Sequence, residues 1–325
     1  MRYQSQYPIL RRILRILLWG GIVCVSVLLI VAAYLFVPVI SDPSSSFLPR
    51  KGSLQQVSVT RHWTTATAEF SEITLGSSSG LQVQLTVNRP RGSTLARPLV
   101  ILMGGYRTGR HAAELIHDTH GIVIASLSYP YHGHEVVGGI DLLCNITAIR
   151  QAILDTPPVV LLALDYLAAQ DYVDPTRIEL AGVSFGAFLA SIPGALDTRF
   201  SRVWLIHGSG DPVAVFDYMT ANKIRSTSLR WLLTRGGAIL IQANYLKPER
   251  WVGRISPRPV IVVNARNDNS FPRQSIESLH RALHQPYKII WLGEEHVGVR
   301  SQELIQRIAD LIAGYIFKKN TGAAK

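Results

Sequence analysis

The segment Gly182-Val183-Ser184-Phe185-Gly186 brackets a serine with glycines, directly after the apolar run Ile178-Glu179-Leu180-Ala181 and before the helical stretch Phe185-Gly186-Ala187-Phe188-Leu189-Ala190. A serine at a strand-to-helix junction is lifted clear of a sheet on a tight turn, and glycines stand where side chains would collide with neighbouring backbone. Its Oγ then lies at the positive end of a helix. A capping serine in an ordinary glycine turn has the same five residues, so chemistry requires partners. A hydroxyl becomes a good nucleophile at neutral pH only when a base, oriented by a third group, takes its proton.

The chain has ten histidines from which to draw that base. His296, in Trp291-Leu292-Gly293-Glu294-Glu295-His296-Val297, follows the last predicted strand and precedes the C-terminal helix. That order puts it at the same sheet edge as Ser184. His62 falls early in the chain, and His111, His117, His280 and His284 lie on or near predicted helices, where surface histidines are ordinary. His132 and His134 form an H-x-H pair. Only His207 offers them a third ligand and no Cys or Asp/His cluster completes a zinc set, so no metal is expected and the pair reads as a loop on the site's rim.

For the acid, Asp268 follows the apolar run Val260-Ile261-Val262-Val263 through Asn264-Ala265-Arg266-Asn267. A carboxylate there can accept the Nδ1 hydrogen of His296, fixing the tautomer and stabilising the imidazolium. Asp211 is the rival, since it ends the previous strand in His207-Gly208-Ser209-Gly210-Asp211. Asp268 is preferred because Ser, Asp and His then follow successive strands. Glu294 and Glu295 are too near His296 in sequence to reach behind its ring. Developing negative charge needs backbone N–H donors. Phe185, directly after the serine, supplies one, and the turn Met103-Gly104-Gly105-Tyr106 supplies the other, from Gly105 first and Tyr106 second.

These residues need a sheet to hold them. Short continuous apolar runs at 99–103, 121–127, 177–181, 202–206, 259–263 and 287–292 alternate with helical periods at 111–118, 142–153, 159–170, 185–191, 275–284 and 301–317. Strands buried on both faces read as unbroken apolar runs, so the pattern predicts an α/β fold with a mostly parallel sheet covered by helices on both sides. Two alternating runs, 66–75 and 81–87, predict an antiparallel hairpin ahead of it. The interval 209–258 is too long for a structureless loop and predicts a small helical cap. Its apolar residues, Trp231, Leu232, Leu233, Ile239 and Leu240, are expected either to form the cap's own core or to accept an acyl chain.

Residues 16–37 form a run of 22 without a charge, preceded by Arg2, Arg11, Arg12 and Arg15. As a helix this spans roughly 33 Å, enough for the hydrocarbon core of a bilayer. It is longer than a secretory signal and continues in apolar residues after Ala32-Ala33, so an uncleaved anchor is expected. The positive-inside rule puts residues 1–15 in the cytoplasm and everything from about 41 onward outside. Residues 38–60, rich in Ser and Pro, read as a linker; 61–319 are the folded domain and 320–325 a tail. Cys24 lies in the span and leaves Cys144 without a partner, so no disulfide framework is available. The net charge of +11 is scattered. No stripe of cations interleaved with aromatics points to nucleic acid, and Asn145-Ile146-Thr147 is a short glycosylation sequon that arises easily by chance.

With Val173-Asp174-Pro175-Thr176-Arg177-Ile178 leading into Gly182-Val183-Ser184-Phe185-Gly186, and Arg258-Pro259-Val260 leading into Asp268, residues 60 to 318 resemble the α/β-hydrolase superfamily. Within it the chain looks like the dienelactone-hydrolase and acetyl-esterase branches. The resemblance implies an eight-stranded, mostly parallel sheet, the triad Ser184, Asp268 and His296, and no cofactor. Met103-Gly104 stands where many members have His-Gly. The activity implied is hydrolysis of a small-molecule or lipid-derived carboxylic ester through an acyl-enzyme. An acyltransferase or a serine peptidase shares that intermediate, and a non-catalytic hydrolase-fold binding protein would be marked by a lost triad residue. Nothing in the sequence fixes an oligomeric state.

Overall fold

The computed structural model describes residues 8–40, 42–92, 95–134, 141, 144–293 and 295–318. The predicted tail 320–325 and Glu294 lie outside the described residues. The chain divides into two compact units, Met1–Asp42 and Pro43–Lys325. The first is a single helix, α1 (Pro8–Ile40), whose stretch Arg12–Ala32 has a mean hydropathy of 2.5 and is nowhere buried. Leu17, Trp19 and Ile30 are 67%, 65% and 67% exposed.

Among the described residues the second unit is built on a nine-stranded sheet in the order β1-β2-β3-β5-β4-β6-β7-β8-β9. The strands are β1 (Leu54–Thr64), β2 (Ala68–Ser77), β3 (Gln82–Pro90), β4 (Arg97–Met103), β5 (Val123–Leu127), β6 (Val173–Val183), β7 (Phe200–Ile206), β8 (Val260–Ala265) and β9 (Tyr287–Leu292). From β1 through β3 to β5 the pairings are antiparallel, and from β5 to β9 they are parallel. The sheet is therefore mixed and has one strand more than the eight expected. The additional strand is β1, in the stretch read as linker. Almost every residue of β1 is exposed, Val57 and Val59 included, so this edge strand has no buried face and its sequence no apolar period to reveal it. The rest of that stretch is also ordered. A 3₁₀ turn (Pro43–Ser46) leads into α2 (Phe47–Lys51), where Phe47 is buried and its ring lies 6.1 Å from that of Trp251.

The central strands are buried on both sides, which explains their unbroken apolar runs. Leu99, Ile101 and Met103 of β4 enter one core, while Val100 and Leu102 enter the other. On the first face lie α3 (Ile146–Leu167) and α4 (Phe185–Leu196); on the second lie a 3₁₀ segment (Gly109–Leu115) and the C-terminal helix (Gln302–Phe317). The two helices expected at 142–153 and 159–170 form one, because α3 continues through Pro157-Pro158. Two missing amide donors cost helix stability, but the segment from Thr156 to Leu164 is wholly buried, and that burial holds the helix together. α3 is long and apolar enough to cross a membrane, yet it is a core helix.

Between β7 and β8 lie α5 (Pro212–Thr220), α6 (Thr227–Leu240), α7 (Ala243–Leu246), α8 (Pro248–Trp251) and a 3₁₀ turn (Val252–Ile255). The last of these elements pack on α4 through Trp251, Val252 and Ile255. The apolar residues of α6 do not make a core. Trp231, Leu232, Leu233 and Ile239 all face solvent.

Candidate active site

Four parallel strands end at one edge of the sheet, and the residues just beyond their C-termini meet there. Ser184 follows β6, His207 follows β7, Asp268 lies three residues past β8, and His296 four past β9. The ladder reaches into the site: Ser184 N–H donates to Ile206 O at 2.9 Å and His207 N–H to Val263 O at 2.6 Å. Ser184 takes φ 55°, ψ −114°, a strained backbone that the flanking strand and α4 over-determine. A Cβ on Gly186 would stand 2.0 Å from Met103 O, and one on Gly182 would stand 2.5 Å from Gly186 O. The turn is this tight because α4 starts against the end of β4.

The structure brings together all three residues of the expected triad. Ser184 Oγ–H donates to His296 Nε2 at 2.8 Å, and His296 Nδ1–H donates to Asp268 Oδ2 at 2.9 Å. The Asp268 side chain is 2% exposed and that of His296 10%. Asp268 Oδ1 accepts from the backbone of Ser270 and Phe271 at 2.8 and 2.9 Å. Burial pushes this carboxyl up, but the bond from His296 and the two backbone donors outweigh it and hold the net value below the ordinary aspartate range. Ionised Asp268 fixes His296 with its hydrogen on Nδ1, leaving Nε2 free to take the serine proton. The ring of Phe271 meets His296 edge-on at 4.9 Å, and Phe188 packs on Phe271 in the same way at 5.4 Å.

Asp211 has a different task. It is exposed, with φ 40°, and its Oδ1 caps α5 by accepting from Ala214 N at 3.2 Å. On the donor side, Phe185 opens α4, so its N–H has no acceptor within the helix. Its ring lies 6.4 Å from that of Tyr106 and 5.1 Å from that of Tyr129, which gathers the Gly105-Tyr106 turn beside the serine. Tyr129 donates its hydroxyl to Gly104 O, and burial raises its phenol far above the ordinary tyrosine value. Tyr129 is a residue that sequence reasoning missed, because a lone Tyr after a strand carries no signal.

His207 is fully buried, its ring 5.5 Å from that of His296. Its Nδ1 accepts from Val297 N at 2.9 Å, and its Nε2 has no partner among the described residues. Burial first, and the neighbouring His296 second, push its value down to about 4. His207, Asp268 and His296 present ligand atoms within 4.8 Å of one another. Both nitrogens of His296 are already committed to Asp268 and Ser184, so a metal there would dismantle the triad. Among the described residues His132 and His134 join no such group. Asn145 of the sequon is buried and accepts from His134 N at 3.0 Å.

No protein-family model matches the chain. No curated protein matches it either. Among solved structures, acetyl xylan esterase 1 from Thermoanaerobacterium sp. JW/SL YS485 is similar at a TM-score of 0.60 and 15% identity, covering 85% of this chain and 93% of its own. The acetyl xylan esterase from Paenibacillus sp. R4 gives 0.60 and 15%, with 83% and 92% covered. A cold-adapted esterase from an Arctic intertidal metagenomic library gives 0.52 and 16%, with 79% and 98% covered. These structures share the fold of this chain, the α/β-hydrolase fold that the sequence led us to expect.

Proposed function

We propose that the protein is a serine esterase, anchored in a membrane by α1, that cleaves a carboxylic ester through an acyl-enzyme. The observation that carries this reading is the continuous relay Ser184 Oγ, His296 Nε2, His296 Nδ1, Asp268 Oδ2 at 2.8 and 2.9 Å. Ser184 Oγ adds to the ester carbonyl carbon while its proton passes to His296 Nε2. The N–H groups of Phe185 and of Gly105 or Tyr106 receive the carbonyl oxygen as it gains charge. Collapse expels the alcohol, which takes the proton from His296. Water then repeats the sequence on the acyl-serine and releases the acid. Esterases among the similar structures support an ester rather than an amide as the substrate. No cofactor is needed for these steps.

The anchor reading rests on the exposed apolar stretch Arg12–Ala32 of α1. Arginines gather before it at Arg2, Arg11, Arg12 and Arg15, while the next cations in the chain are Arg50 and Lys51. That asymmetry supports an orientation with 1–15 in the cytoplasm and the unit that carries Ser184 outside. One experiment tests both parts: a membrane-impermeant fluorophosphonate applied to intact cells, with wild type compared to Ser184→Ala. Labelling of wild type alone, without lysis, is expected. Absence of a Ser184-dependent adduct even after lysis would end the enzyme reading, and an adduct that appears only after lysis would end the outside placement.

A further inference from the structure

Helix α6 is built inside out. At every fourth position it turns Arg230, Thr234 and Ala238 inward, and Arg230 Nε donates to Asp217 Oδ1 of α5 at 3.0 Å. The outward positions carry Leu229, Trp231, Leu232, Leu233 and Ile239, exposed at 49%, 53%, 60%, 47% and 43%. A helix folded to bury its apolar side would be rotated the other way. On neighbouring α5, Tyr218 and Met219 are exposed as well. Scattered exposed apolar residues are ordinary, whereas a contiguous patch marks a surface that something covers.

The charges say what covers it. Lys223 and Arg225, in the connection from α5 to α6, are exposed, and the Arg235 guanidinium lies 4.6 Å over the Trp231 ring. Across 212–247 the cations are Lys223, Arg225, Arg230, Arg235 and Lys247, against Asp217 as the sole acidic side chain. Apolar residues with a tryptophan among them, rimmed by cations, have the composition of a helix that lies in the interface of a bilayer. The same chain carries in α1 a helix that has the length and hydropathy to hold it at one. We propose that the outward face of α5 and α6 docks on an anionic lipid surface. Trp231 and Leu232 enter the headgroup–acyl boundary, and Lys223, Arg225 and Arg235 lie at the level of the phosphates. Val215, on the inner side of α5, packs with Phe271, whose ring meets His296. A docked insertion thus holds the proposed ester site within a few side-chain layers of lipid; that last step rests on the esterase reading, and the docking does not.

The test uses the full chain in vesicles, with Cys144→Ala and a single dye-labelled cysteine. Insertion of α1 is established first by acyl-chain nitroxide quenching of a dye on Cys24. In a Cys24→Ala background, the dye is then placed at Leu232→Cys on α6 or at Val59→Cys on exposed β1. Quenching at 232 but not at 59 is expected, at least about threefold stronger with phosphatidylglycerol present than in phosphatidylcholine alone. Replacing Lys223, Arg225 and Arg235 by Gln should remove that difference. A dye at 232 as open to aqueous iodide as the one at 59 would overturn the proposal. So would a blue shift at 232 that grows with protein-to-lipid ratio without lipid quenching, because the face would then be covered by a second copy of the chain.

Discussion

Ser184, His296 and Asp268 are 84 and 28 residues apart in the chain order Ser, Asp, His, and what unites them is the common C-terminal edge of β6, β8 and β9. Asp268 and Asp211 were separable in sequence only by that order; the structure separates them by partner, since Asp268 holds His296 and Asp211 caps a helix. Asp268→Asn should therefore lower turnover by about ten-thousandfold, while Asp211→Asn should leave it within a few-fold; steady-state kinetics on a chromogenic ester decides, and the reverse ranking would overturn the assignment. His207 is a different case. Its sequence neighbours offered only a possible metal ligand, because burial and the Val297 bond are long-range facts. With its value depressed to about 4 against an unfolded 6.5, the unfolded chain binds the proton that the folded one refuses between those pH values. Stability must then rise with pH across pH 4–6.5, by on the order of 3 kcal/mol for this group alone. Thermal melts should show that slope in wild type, and His207→Asn, whose Oδ1 stands in the place of Nδ1 and can still accept from Val297, should flatten it. An unchanged slope would mean that His207 is not buried as a neutral ring.

The elements that aim these residues were legible wherever a strand was buried on both faces. The runs at 99–103, 202–206 and 259–263 all became parallel strands, because such a strand has no polar position to interrupt it. Legibility failed where a single local rule was overridden. Pro157-Pro158 reads as a helix break, but the buried flank of α3 outweighs two missing hydrogen bonds. The outward residues of α6 read as core because hydropathy alone cannot tell which way a helix is turned. The serine turn makes a sharper test of how elements set the site. Alanine at 186 would drive its Cβ into Met103 O, backbone that cannot step aside, whereas alanine at 236, on α6, meets nothing within 4 Å. Gly186→Ala should destabilise by more than about 3 kcal/mol or displace Ser184 enough to abolish probe labelling. Gly236→Ala should gain about 0.5–1 kcal/mol from helix propensity. Paired denaturant titrations and probe labelling measure both, and indistinguishable midpoints for the two variants with labelling retained in each would refute the packing argument.

At the scale of the whole molecule, the question is where the folded unit begins. Its composition suggested a soft linker through residue 60, yet among the described residues the buried core starts at Phe47. Phe47 packs with Trp251 from the far end of the insertion, and Arg50 grips the buried Asp155 of α3 through two bonds at 2.9 and 3.0 Å, while Lys51 pairs with Asp165. Residues 43–52 therefore act as a clasp across α3 and the last turns before β8. Chains beginning at Pro43 and at Ser53 differ only in that clasp, since both keep the nine strands and the triad. Losing Phe47 from the core costs about 3–5 kcal/mol on the scale of large-to-small truncations. Asp155, left buried without its guanidinium, adds a further penalty of about 1–3 kcal/mol. At roughly 2–4 °C per kcal/mol for a domain of this size, the chain starting at Ser53 should melt about 8 °C or more below the one starting at Pro43. If 43–52 were a linker, the two would melt together, so a single pair of calorimetric scans distinguishes a tether from a structural part of the fold.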